Sequence, residues 1–347
     1  MGETPDGPSA GGAPRDEPLA GAPPTTLSSP SGNVARRRRA HILDSAFDWV
    51  AFAAAAALVA LPLLLVVIIT QASWPALIRF GPGFLVGRTW DPNIAPITFG
   101  AAPFVAGTLE TSFIALLIGI PLSIGAAVFL AELAPDWLRA PVASVVDLLA
   151  AVPSVVFGLW GLYVLVPYMR VSVDPFLARY LGWSPLFAQQ AGTQSGLSVL
   201  TASIILAIMI LPTISSVSRE ALRATPDSQR EAALSLGATR WEATRLGPLA
   251  YARSGIFGAA VLGLGRAMGE TMAVTMTIGN SNNVGTSLFD PGQTLSSLIA
   301  INFGNALPLE RAALVELGLI LMALSLLVNV VARLLLRSIT RLGGSTA

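Results

Sequence analysis

From Val50 to Thr70 the chain reads VAFAAAAALVALPLLLVVIIT, 21 consecutive residues without a charge. At about 1.5 Å of rise per residue, a helix of that length matches the ~30 Å hydrocarbon layer of a bilayer. Lipid offers no hydrogen-bond partner to a backbone amide, so a run of this kind admits a helix and little else. Five more apolar segments follow, at approximately 104–131, 142–167, 195–217, 250–278 and 312–336. The expectation is an all-α polytopic membrane protein with six transmembrane helices. A mean hydropathy of +0.68 and a hydrophobic share of 53% place the whole chain in the same class.

Charge placement orients those helices. RRRR (Arg36–Arg39) precedes the first apolar run, and that run exceeds the roughly 7–15 residues of a signal-peptide core, so it reads as an uncleaved first span. With the N-terminus inside, Arg36–Arg39, Arg139, Arg219, Arg223, Arg230, Arg240, Arg245, Arg253, Arg333, Arg337 and Arg341 face the cytoplasm. Arg79, Arg88, Arg170, Arg179 and Arg311 face outward. The bias favours cytoplasmic termini. Residues 1–35 hold six Gly and seven Pro, a low-complexity composition. The chain therefore divides into a disordered arm over 1–45, the first transmembrane helix with an extracytoplasmic loop over 46–102, and a five-helix transmembrane domain over 103–340.

Residue types exclude whole chemistries. All 21 basic residues are arginine, so the chain has no lysine for a Walker A loop or a Schiff base. It has no cysteine and a single histidine, His41, which leaves no Cys/His metal site and no Ser-His-Asp triad within the membrane region. No catalytic residue, metal site or cofactor is expected. A net charge of +1 implies no nucleic-acid partner.

Between the fourth and fifth apolar segments lies EAALSLGATRWEATRLGPLAYARSGI (Glu231–Ile256). Thr225 and Pro226 read as the N-cap and first residue of a helix. Gly237 suits the left-handed turn that ends it. Thr239 with Glu242 forms a T-x-x-E capping box, so a second short helix begins almost at once. A connecting loop needs none of these signals, and adjacent spans leave a DNA-reading helix-turn-helix no reach into a groove. The arrangement fits a docking element for a cytoplasmic partner, spanning 225–247.

EAALSLGA resembles the EAA motif of type I ABC importer permeases, with matches at Glu231, Ala232, Ala233 and Gly237. In that family the short helix sits in a cleft of the ATP-hydrolysing subunit and transmits its closure to the spans. The family has a Leu-Pro pair before the next span, whereas here Leu249 is followed by Ala250 and the proline is Pro248. GLGRAMGETMAVTM (Gly263–Met276), LLAAVPSVVFGLWG (Leu148–Gly161), FLVGRTWDP (Phe84–Pro92) and GTLETS (Gly107–Ser112) narrow the resemblance to PstC-type permeases of phosphate-specific ABC importers. The likeness covers about residues 45–340. It implies a type I ABC importer permease fold in the bacterial cytoplasmic membrane. It also implies a heterodimer with a PstA-type permease, two ATP-binding subunits and an extracytoplasmic phosphate-binding protein. A permease for sulfate or molybdate, a stand-alone carrier coupled to protons through Glu270 and Glu316, and a signalling scaffold recruiting proteins through the arm are the alternatives.

Glu110, Asp147, Arg266, Glu270 and Glu316 fall within or beside the apolar segments. Glu110, Asp147 and Glu316 are read as water-facing or interfacial. Arg266 lies about 18 Å of helical rise beyond Ser254, near the bilayer middle. A central Arg costs about 2.5–3.5 kcal/mol to insert, while an Arg–Glu pair at i,i+4 returns only about 0.2–0.5. Gly265 and Gly269 flank it in a small-x-x-x-small pattern that admits another helix. Arg266 and Glu270 are thus candidates for the substrate pathway, with Glu270 orienting the guanidinium, or for a structural ion pair between subunits. Pro153 is expected to kink the third span. Single cysteines at Ser29 and Ser345 are predicted to resist a membrane-impermeant thiol reagent in intact cells, and one at Ser287 to react. Labelling of the termini from outside contradicts the orientation.

Overall fold

A computed structural model of the chain describes residues 31–92, 97–188, 195–283 and 285–343. The arm expected at 1–45 lies outside the described residues as far as residue 30, and from Ser31 a helix runs to Phe80. Gly81, at φ +54°, ends it, the left-handed termination that glycine makes without a Cβ clash. Five helices among the described residues are long and apolar enough to cross a membrane. They are Phe47–Phe80, Ala102–Leu133, Ser154–Leu181, Val199–Arg223 and Pro308–Leu335.

The remaining expected segment, 250–278, is helical but interrupted. Arg253–Gly269 forms one helix and Met272–Thr277 another, with Glu270 extended between them at φ −69°, ψ 133°. The sequence therefore delivers six membrane segments, of which five are continuous. The segment expected at 142–167 is also redrawn. Val152 and Pro153 are both extended, so Asp136–Ala151 is a separate helix and the third span starts at Ser154. Pro153 breaks the path outright because the residue before a proline is pushed from the helical region. Two residue pairs of antiparallel strand, Trp90 with Phe99 and Asp91 with Thr98, add a small sheet to the otherwise helical fold.

The fourth span is the hub, with 72% of its most apolar window buried against 33% for the second and third spans. Ile210 and Ile214 fill slots that glycines leave in its neighbours. A Cβ at Gly119 would stand 2.9 Å from Ile210 Cδ1, and one at Gly263 would stand 2.6 Å from Ile214 Cδ1. The second, fourth and fifth segments thus close-pack around Ala115, Leu206, Ile210, Ile214, Ala259 and Ala267. A second core gathers Phe84, Trp90, Phe99 and Phe104 from the 84–104 region against Leu295, Leu298, Leu314 and Leu317.

Within this chain the close helix approach of the fifth segment is made at Gly263, and at Gly255 against Ala221, while a Cβ built on Gly265 or Gly269 meets open space, so the face expected to admit another helix is not filled by this chain. One expectation is corrected. Ser287 is buried at 3% exposure and donates to the Leu186 carbonyl, so exposed Asn283 is the better outward labelling position.

The glycine geometry separates packing from propensity. A Cβ on Gly107 meets the Gln293 carbonyl oxygen, a backbone atom that cannot rotate away. Gly107→Ala is expected to cost about 1–3 kcal/mol by overpacking, read as a lower melting temperature of the purified subunit. Gly265→Ala, entering open space, is expected to leave the melting temperature unchanged or raise it.

Candidate functional site

The 225–247 stretch folds into two short helices, Asp227–Ser235 and Arg240–Leu246. The first begins one residue later than expected. Pro226, extended at φ −58°, ψ 140°, takes the N-cap position and Thr225 is buried just before it. Gly237 turns the chain at φ +83°. Thr239 and Glu242 close a complete capping box, with Thr239 N donating to Glu242 Oε2 at 2.8 Å and Glu242 N to Thr239 Oγ1 at 3.3 Å. The Thr239 amide holds the Glu242 carboxyl below the usual carboxylate range. The box is therefore intact above that range and is lost only as pH falls through the depressed value.

Of the motif residues, Glu231, Ala232 and Gly237 are exposed and Ala233 is half-buried. Leu234 and Leu236 stand free beside them, Leu236 at 89% exposure. Apolar side chains left bare on and just after a polar helix suit contact with something outside the chain.

Arg266 occupies the last turn of Arg253–Gly269. Cations are favoured there by the partial negative charge of the helix end, an offset that adds to any ion pairing. The side chain is half-buried, and Nη1 donates to Thr213 Oγ1 of the fourth span at 3.1 Å. Among the described residues this is its one hydrogen bond, so most of the five guanidinium N–H donors remain unused.

Glu270 does not pair with Arg266. The helix ends between them, and Glu270 Oε1 instead accepts from Ala273 N at 3.4 Å, at the start of the next helix. The Glu270 carbonyl accepts from Ser296 Oγ at 2.7 Å. Leu295 N in turn donates to Thr108 Oγ1 of the second span at 3.0 Å. The interruption is thereby stitched to two other elements.

The remaining membrane charges divide. Asp147, half-exposed, meets buried Arg219 at 3.5 Å. Glu110 lines a cavity of about 10 Å³, room for one water, with Asp290 and Gln293. Glu316 departs from the water-facing expectation, because it is 4% exposed. Thr213, Glu132 and Arg230 are functional candidates that the sequence reading passed over. Arg230 and Glu132 form a two-bond ion pair, with Arg230 Nη2 to Glu132 Oε1 at 2.7 Å and Nε to Oε2 at 3.0 Å. This bond to Glu132 raises the guanidinium pKa further. The available signal was a carboxylate at the end of an apolar span together with an arginine directly before Glu231.

Residues 119–341 match the family model described as a binding-protein-dependent transport system inner membrane component. The chain is 42% identical over 286 residues to the phosphate transport system permease protein PstC of Pasteurella multocida, covering 81% of this chain and 89% of that one. It is 42% identical over 320 residues to PstC of Mesorhizobium japonicum, covering 91% and 96%. It is 40% identical over 311 residues to PstC 2 of Mycobacterium tuberculosis, covering 88% and 96%. Among solved structures, an inward-facing form of the MetNI methionine ABC transporter aligns with a TM-score of 0.48 at 18% identity, covering 67% of this chain and 93% of that one.

Proposed function

The chain belongs to the family of binding-protein-dependent inner-membrane transport components, and we propose that it is the membrane-spanning permease subunit of an ATP-driven importer that carries inorganic phosphate into the bacterial cell. ATP hydrolysis comes from separate subunits, since a chain without lysine has no P-loop of its own. The complex holds two such subunits, one of which docks on this chain at the Asp227–Ser235 helix and the turn after it, where Glu231, Ala232, Ala233 and Gly237 form the contact. Phosphate arrives from an extracytoplasmic binding protein. Both termini are cytoplasmic.

The observation that carries the reading is Arg266. A guanidinium held at an interrupted membrane helix, with one donor on Thr213 and others unused, suits a tetrahedral oxyanion that accepts charge-assisted hydrogen bonds. Glu270 contributes by position: it caps the following helix and so keeps the break open beside the arginine. A single fixed charge attracts the anion without enclosing it, as a waypoint requires.

A second permease of PstA type completes the pathway. Gly258, Leu262, Gly265 and Gly269 recur at helical spacing along one side of the fifth segment. A Cβ built on any of the three glycines would meet no other part of this chain within 4 Å, and Leu262 is exposed. A face of small residues lets a partner helix approach closely, next to Arg266.

Arg266→Gln keeps much of the bulk and removes the charge. The complex is expected to assemble and hydrolyse ATP while phosphate uptake collapses by on the order of a hundred-fold, as when one charged donor to a bound anion is lost. If the variant instead fails to assemble with its partner subunits, Arg266 is a structural pair and leaves the pathway assignment.

A further inference from the structure

The Asp227–Ser235 helix contains no buried residue. Nine residues of helix with none fully buried are held only weakly by apolar burial, and they do not form stably alone. Its attachment is polar and passes through Arg230. That side chain donates Nη1 to Asp227 Oδ1 at 2.7 Å and to the Thr225 carbonyl at 3.3 Å, and Nη2 to the Leu222 carbonyl at 3.4 Å. The two remaining bonds, at 3.0 and 2.7 Å, go to Glu132 as a fork on a carboxylate. A lysine cannot reproduce this geometry.

Glu132 sits on a π turn, Phe129–Leu133, that ends the second span and is closed by Ala134 N donating to the Phe129 carbonyl at 2.7 Å. Its side chain is 8% exposed. A carboxylate so far from water is retained only when paired and hydrogen-bonded. Directly behind it, Ala127, Val128, Leu222, Ala252 and Ile256 bring the second, fourth and fifth segments into one apolar cluster. One guanidinium therefore ties the interspan helix, the end of the fourth span and the end of the second span into a single unit.

We infer that Arg230 is the positioning residue through which movement of the Asp227–Ser235 helix reaches the membrane, acting on the second span by way of Glu132. This rests on the coupling role proposed above for that helix. Burial alone would let the helix slide or fray when pulled. The fork resists both displacement and rotation, because its two bonds fix direction as well as distance.

The test uses the assembled transporter in proteoliposomes, with phosphate taken up per ATP hydrolysed as the readout. Arg230→Gln and Glu132→Gln are each expected to lower that ratio about ten-fold, the scale of a lost coupling contact, while the ATP-binding subunits still co-purify. The double variant is expected to be no worse than the more severe single one, since both remove the same link. Glu132→Asp, which keeps the charge and draws it back by one methylene, serves if a neutral variant fails to assemble, and a several-fold loss is expected from it. An unchanged ratio in the single variants or in Glu132→Asp overturns the inference, as does a double variant whose losses multiply. If the unmodified complex shows no ATP-driven phosphate uptake, the functional reading fails and this inference with it. Normal uptake with an insensitive ratio removes the inference alone.

Discussion

The fold turns on the interruption at Glu270. A helix broken within a membrane exposes backbone groups that lipid cannot satisfy, at several kcal/mol each. Here Glu270 Oε1 takes the Ala273 amide and Ser296 Oγ takes the Glu270 carbonyl. The Leu295–Asn302 helix that carries Ser296 is itself capped by Thr294, with Thr108 of the second span accepting from Leu295 N. This chain of small polar side chains makes the break stable. The break in turn lets Arg266 occupy a helix end, where the end's partial negative charge favours it.

The same logic governs the other end of the fifth segment. Pro248 begins a short helical turn after Gly247, and Ala252 and Ile256 then join the cluster behind the Arg230–Glu132 pair. Two polar devices, the fork and the stitched break, thus bracket one helix. Between them, Gly255 and Gly263 pack closely on the fourth span, so the bracketed helix is a stiff element with a defined handle at each end.

Much of this was legible in the sequence because membrane burial writes itself as long charge-free runs and helix ends as particular residues. Six segments, the turn at Gly237 and the Thr239–Glu242 box were all readable on those grounds. The break at Glu270 was not, since Gly-Glu-Thr sits between two apolar stretches that together read as one span. The pertinent signal was local: a carboxylate three residues ahead of an amide it caps, directly after a glycine. Pro153 was visible as a disturbance, but whether it kinks or breaks depends on Val152, whose conformation composition does not reveal. The Arg230–Glu132 pair spans 98 residues of sequence, and no periodicity links its ends. Arg266 was found by counting rise, yet its partner Thr213 lies on another span and emerges only from packing.

The central claim is that Arg266 borders a hydrated path for an anion. The rate at which a cysteine at Thr213 reacts with a small hydrophilic thiol reagent in the assembled transporter tests it directly, because the chain has no native cysteine to interfere. Reaction is expected, slowed by phosphate and altered when ATP is supplied. A cysteine at that position that never reacts, in any nucleotide state, would show that Arg266 is sealed within a dry subunit contact and that phosphate passes elsewhere.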